Sequence, residues 1–167
     1  MGQKMAAAVL WSAALAFSVT AHAQESQPSI HDHSICAPNG IAVGGYDVVS
    51  YFDSGPLMGT STFTHEYNDL TYQFANETNL QKFIQSPEAF LPKYRGWCSA
   101  TLSMGRLACP DFANYKIENG ALLLFERIGF SNGLDMWNAD PITASRNANA
   151  HFERLIDEAR SSTPHTE

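Results

Sequence analysis

Apolar and polar positions divide the chain into blocks of different character. Met5 to Val19 is an apolar run with small residues interspersed, closing on Ala21-His22-Ala23, and Lys4 is the only charged side chain before Glu25. A basic start, a short apolar run and an Ala-x-Ala site form an export signature. A membrane-spanning helix needs about 20 strongly apolar residues, and this run is diluted by Ser12, Ser18 and Thr20. Residues 1–23 are therefore expected to be a signal peptide cleaved after Ala23, with no stable membrane insertion afterwards. Residues 24–42 are polar, carry Pro28, Pro38 and Gly40, and show no period. They read as a flexible leader.

From residue 43 onward periodic segments appear. Tyr46 to Phe52 is rich in β-formers and stops at Asp53-Ser54-Gly55-Pro56, which predicts a strand and a turn. Thr62–Tyr67 and Thr71–Phe74 bracket Asn68-Asp69, the signature of a hairpin. Its alternation puts Phe63, His65 and Tyr67 on one face and Tyr72 and Phe74 on one face. Asn76 can cap a helix carrying Leu80, Phe83 and Ile84 at helical spacing and ending before Pro87. Pro87–Leu91 suits a further helical turn, Trp97–Met104 a strand, and Phe112–Lys116 either a short helix or a strand. Asn119-Gly120 predicts a turn into Ala121–Phe125, an apolar run suited to a buried strand. Phe130–Asn138 is ambiguous between helix and strand. From Pro141 a long helix is expected, with Ala148, Phe152, Leu155, Ile156 and Ala159 as its apolar stripe. Residues 161–167 form a polar tail. The predicted fold is α+β: a small antiparallel sheet packed with helices, in one domain over residues 43–160, with a long C-terminal helix.

Charge narrows the partners. The chain has 10 Lys and Arg against 17 Asp and Glu. Loss of Lys4 with the signal leaves nine against 17, a charge of −8. Such a chain is not drawn to phosphate backbones and lacks the basic patch of nucleic-acid binders. Three cysteines, Cys36, Cys98 and Cys109, would meet an oxidising compartment after export. At most one intrachain bridge can form, any of three pairings is open, and one thiol is left over.

The order of segments resembles the YHS-domain proteins of bacterial periplasms. The likeness runs through Gly44-Gly45-Tyr46-Asp47-Val48-Val49-Ser50-Tyr51-Phe52, then Tyr72-Gln73-Phe74-Ala75 and Ser86-Pro87-Glu88-Ala89-Phe90. It continues in Pro92-Lys93-Tyr94, Gly96-Trp97-Cys98-Ser99-Ala100, Asn119-Gly120 and Trp137. It implies a periplasmic location and a YHS-like domain. Some YHS domains occur in metal-handling proteins, copper transporters included, where a Phe-Cys-Ser turn and a second Cys supply thiolates. Here that turn is Phe74-Ala75-Asn76 and the second position falls near Asn79, so neither thiolate is present.

Several residues carry candidate chemistry. Cys98 can act as a soft metal ligand, a reactive thiol, half of a disulfide or a small buried side chain. His31, His33 and Cys36 form a His-x-His-x-x-Cys cluster, whose imidazole and thiolate groups suit copper or zinc. His65 can join Cys98, Met58 or Met104 in a copper set, or serve as an ordinary strand histidine. Asp47 follows two glycines that permit close backbone approach, so with Tyr46 it can meet a ligand or cap the turn. Tyr51, Tyr72, Trp97 and Trp137 can line a pocket or pack a core. Gly-x-Ser-x-Gly and His-Glu-x-x-His motifs do not occur. The expectation is a non-enzymatic binding module for a small ligand or a soft metal ion such as copper. The alternatives are a thiol redox enzyme centred on Cys98, with His65 as a conceivable partner, and a structural module that binds a protein partner.

Overall fold

The structure is a computed structural model that describes residues 35–162. The expected signal peptide, most of the expected leader and the end of the tail lie outside the described residues. The secondary structure comprises β1 (Thr60–Tyr67), β2 (Leu70–Phe74), α1 (Glu77–Gln85), α2 (Ser99–Ser103), β3 (Asp111–Glu118) and β4 (Ala121–Phe125). It continues with β5 (Arg127–Ile128), β6 (Ser131–Asn132), α3 (Gly133–Ala139) and α4 (Pro141–Ser162). The strands form three antiparallel pairs, β1–β2, β3–β4 and β5–β6, rather than one sheet. Helices and short 3₁₀ turns fill the space between them. No described helix is long and apolar enough to cross a membrane.

The hairpin, the capped helix, the buried strand and the long helix are as the sequence predicts. Asn68 and Asp69 both take positive φ and turn β1 into β2. The Asn76 side chain accepts from the Asn79 amide, at 2.9 Å, and caps α1. In α4, Ala148 is fully buried while Arg146, Glu153 and Asp157 face outward.

β4 is the centre of the molecule. Leu122 and Leu124 point into one core with Val48, Tyr51, Phe74 and Phe83. Leu123 and Phe125 point into a second core with Tyr94, Cys98, Leu102, Trp137 and Ala148. Alternation along a strand sends neighbours to opposite faces, and here both faces are covered, so the apolar run is unbroken. Both edges are covered as well. β3 pairs along one, and residues 92–98 touch the other through parallel bridges at Pro92–Leu122 and Cys98–Leu124.

Three expectations change. Residues 46–52 are not a strand. They form an irregular turn between 3₁₀ segments at Ala42–Gly45 and Ser50–Phe52. Gly44 and Gly45 have φ of +59° and +85°, and a Cβ on Gly44 would fall 2.5 Å from the Phe112 ring. The chain therefore bends where its β-formers alone would extend it. Trp97–Met104 is not a strand either, because α2 lies there. Every residue from Cys98 to Leu102 is buried, so the whole turn sits inside the protein and its apolar spacing carries no two-sided signal. Finally, residues 36–42 belong to the fold and not to a leader. Cys36 is disulfide-bonded to Cys109, Ile41 bridges Thr71, and Ala42 is buried. The bond joins positions 73 apart in sequence with Cα atoms 5.5 Å apart, and closing a loop of that size stabilises by about 4 kcal/mol.

Burial of tyrosines adds a pH limit. Burial, with Tyr67 and Glu88 nearby, pushes the Tyr72 phenol up to about 12. Burial also pushes Tyr94 up to about 12, against the lowering effect of a hydrogen bond from Ser145. Tyr51 moves in the same direction through burial and its neighbours Tyr46, Asp111, Tyr115 and Asp47. A raised pKa means that the fold holds the neutral phenol. This stabilisation is complete below the ordinary value of 10 and is lost as pH rises through the folded-state value. Phenolate absorbance and far-ultraviolet circular dichroism, followed from pH 9 to 13 (about three units above the ordinary range), should show late ionisation coinciding with unfolding. Ionisation of all six tyrosines near pH 10 with the fold intact would contradict this.

Candidate functional site

The predicted site residues do not converge. Asp47 is fully buried. Its Oδ1 accepts from the Val49 amide at 2.9 Å and the Ser50 amide at 3.3 Å. Its Oδ2 accepts from the Ala75 amide at 3.0 Å and from Asn79 Nδ2 at 2.6 Å. The first pair caps the turn after Gly44-Gly45, and the second ties that turn to the end of β2 and to α1. Ser50 completes the knot: its Oγ donates to the Asp47 carbonyl at 2.7 Å and accepts from the Leu57 amide at 3.0 Å. Four donors from three segments replace the hydration of a buried carboxylate. The resemblance noted in the sequence would set thiolates at Ala75 and near Asn79. In this protein both donate to Asp47, and the place is filled by an internal hydrogen-bond cluster.

The remaining candidates are dispersed. Cys36 is oxidised in its bond to Cys109, which removes it from any thiolate set and corrects the His-x-His-x-x-Cys reading. His31 and His33 lie outside the described residues. His65 stands on β1 with its ring 6.1 Å from Phe83, beside the first core. Cys98 is fully buried in the second core. Its Sγ accepts from the Thr101 amide at 3.5 Å and the Glu126 amide at 3.1 Å. The sulfur caps α2 and pins the chain leaving β4, and no reactant reaches it in this arrangement. Tyr72 packs on Phe83 at 4.7 Å, Tyr51 on Tyr115 at 5.0 Å, and Trp137 on Phe125 at 5.8 Å. These rings are core and not pocket lining. Tyr46 is half-buried against Tyr51, and the indole N–H of Trp97 is buried without a hydrogen-bond partner. Among the described residues no three His, Cys, Asp or Glu side chains gather as a metal site.

The structure instead opens a groove that the sequence did not announce. It has a volume of about 320 Å³ and lies between the end of α2, the β5–β6 hairpin and α3. Met104, Ile128 and Met136 give it an apolar lining, Arg106 and Glu126 give it one charge of each sign, and Thr101 closes it toward the core. Its apolar side chains are exposed, Ile128 at 64 %, and the neighbouring Phe130 is wholly in solvent. Two amides that hold the Cys98 sulfur belong to groove residues, so the sulfur sits directly behind the wall.

One buried asparagine positions this region. The β3–β4 register slips between Asp111 and Tyr115, and Asn114 falls within the irregularity, buried. Its Nδ2 donates to Asn132 Oδ1 at 2.8 Å, and its Oδ1 accepts from Arg127 at 3.3 Å. Asn132 Oδ1 also accepts from the Leu134 amide at 3.1 Å, capping α3. The hairpin and α3 are thereby fixed to β3. Gly133 stands where α3 starts, and a Cβ there would press on the Glu126 carbonyl at 3.1 Å. In the sequence, part of this region falls in Phe130–Asn138, the segment that is ambiguous between helix and strand.

No protein-family model, curated protein or solved structure matches this chain.

If Asp47 serves the fold, removing its charge must destabilise the protein. Asp47→Asn keeps the shape but turns an amide group toward some of the four donors. It should lower unfolding free energy in denaturant by about 3 kcal/mol. Unchanged or increased stability would mark Asp47 as a residue held for function at the expense of the fold.

Proposed function

We propose that the chain is an exported, non-catalytic binding module of the YHS type whose binding face is the groove between α2, α3 and the β5–β6 hairpin. The observation that carries this reading is the cluster of exposed apolar side chains around a concave opening. Soluble monomers seldom leave such a patch bare, and it marks an interaction site. Arg106 and Glu126 at the same opening give orientation to an amphipathic ligand. Export is supported by the N-terminal sequence pattern and by a disulfide across 73 residues, a bond that persists in oxidising compartments. The YHS assignment is supported by the order of segments described above. A Cys98 enzyme is the weaker reading, because the sulfur is buried and already accepts two hydrogen bonds.

The probe for this reading is anilinonaphthalene sulfonate, an aromatic anion that matches an apolar groove with one arginine. It should bind the native protein at one equivalent, and Met136→Glu should weaken it at least about tenfold. No saturable binding, or binding unchanged in Met136→Glu, would defeat the reading.

A second reading keeps the soft metal. Met104 and Met136 bring two thioethers to the groove, with the Cys98 sulfur behind its wall. Thioether ligands select copper(I). Titration with copper(I) under anaerobic reducing conditions should then show stoichiometric uptake that Met104→Leu with Met136→Leu abolishes. Absence of uptake, or uptake that survives the double substitution, would remove copper from the account.

A further inference from the structure

We infer that the natural occupant of the groove is the β5–β6 hairpin of a second copy of this chain, so that the protein forms a two-fold dimer. The inference rests on the groove being a binding face and names what fills it. The hairpin turns through Gly129-Phe130, between Ile128 and Ser131, which pair across it. This turn puts Phe130 at the tip, wholly exposed, while Phe125 and Phe83 are fully buried. Ile128, two residues before, is also mostly exposed and lines the groove itself. Knob and hole are therefore neighbours on one surface. A two-fold contact uses the same patch on both copies and is self-complementary, and an adjacent knob and hole meet that condition. One Phe130 enters the second copy's groove while the second copy's Phe130 enters the first.

Charge favours the same occupant. Arg106 and Glu126 line the groove, and neither side chain has an ion-pair partner among the described residues. A patch with one free charge of each sign complements itself under two-fold rotation, placing Arg106 of one copy against Glu126 of the other. A wholly acidic rim would repel a second copy of a chain whose net charge is −7. The apolar groups available, Met104, Ile128, Phe130 and Met136, make a small contact of the kind found in weak, transient pairs.

Sedimentation of the purified protein from about 1 µM to about 1 mM should show a reversible monomer–dimer equilibrium. Phe130→Ala should weaken dimerisation at least about tenfold, as loss of a central aromatic anchor does. Arg106→Glu alone should abolish the dimer, and Arg106→Glu with Glu126→Arg should regain it. All three positions are at or near the surface, so circular dichroism should match the parent protein. A monomer throughout the range overturns the inference, as does a dimer indifferent to Phe130→Ala or unrestored by the charge exchange. Anilinonaphthalene sulfonate separates the two levels. A monomer that binds the dye in the groove refutes the dimer and leaves the binding face standing, whereas a monomer that binds none refutes both.

Discussion

The structure depends on one strand that is enclosed on every side. Each of Leu122, Leu123, Leu124 and Phe125 is buried, and such side chains contribute about 1.5–3 kcal/mol apiece relative to exposure. Strand geometry forces them into two different cores, so the domain is built as two halves around β4. The first half is the β1–β2 hairpin with α1 and the Gly-Gly turn. The second is α2, α3 and α4. Residues 92–98 run along the free edge of β4 and connect the halves in sequence. A short strand with both edges covered also removes the unpaired edge that invites aggregation.

Each half is closed by polar groups placed where apolar packing alone would leave backbone donors unmet. In the first, the Asp47 carboxylate satisfies three amides and the Asn79 side chain, and it joins elements that no strand pairing joins. In the second, the Cys98 sulfur takes two amides, and the Cys36–Cys109 bond fastens the start of the domain beside it. Buried hydrogen-bonded clusters of this kind specify geometry. They also account for the two residues that looked most chemical in the sequence. Asp47 and Cys98 are engaged inward, and the surface chemistry lies elsewhere.

What was legible in the sequence follows from where the signals are local. Asn68-Asp69, Asn76, Asn119-Gly120 and the α4 stripe each act through neighbours a few residues away, and the elements they mark stand where expected. Tyr46–Phe52 and Trp97–Met104 depart from the strands that their residues predict because their conformations are set by distant contacts. The first is bent by two glycines, Gly44 against Phe112 and Gly45 against Gln73, and by donors from Ala75 and α1. The second is a single helical turn whose residues from Ser99 to Leu102 are all buried. The pairing of Cys36 with Cys109 joins segments 73 residues apart, and no spacing rule reaches that far. The groove was invisible for a related reason: it forms only when α2, the hairpin and α3 are brought together by Asn114, a residue with no mark in the sequence. Sequence reasoning placed the candidate chemistry at Asp47, His65 and Cys98, whereas the exposed apolar surface gathers at Met104, Ile128, Phe130 and Met136.

On the proposed reading the interior polar groups belong to the scaffold and the exposed groove to binding, and amide-resolved nuclear magnetic resonance separates those roles most directly. Titration of the isotopically labelled protein with anilinonaphthalene sulfonate should shift amides of residues 101–106 and 126–136, with Asp47, Ala75 and Asn79 unmoved. Shifts centred on Asp47, Ala75 and Asn79, with the groove silent, would contradict it.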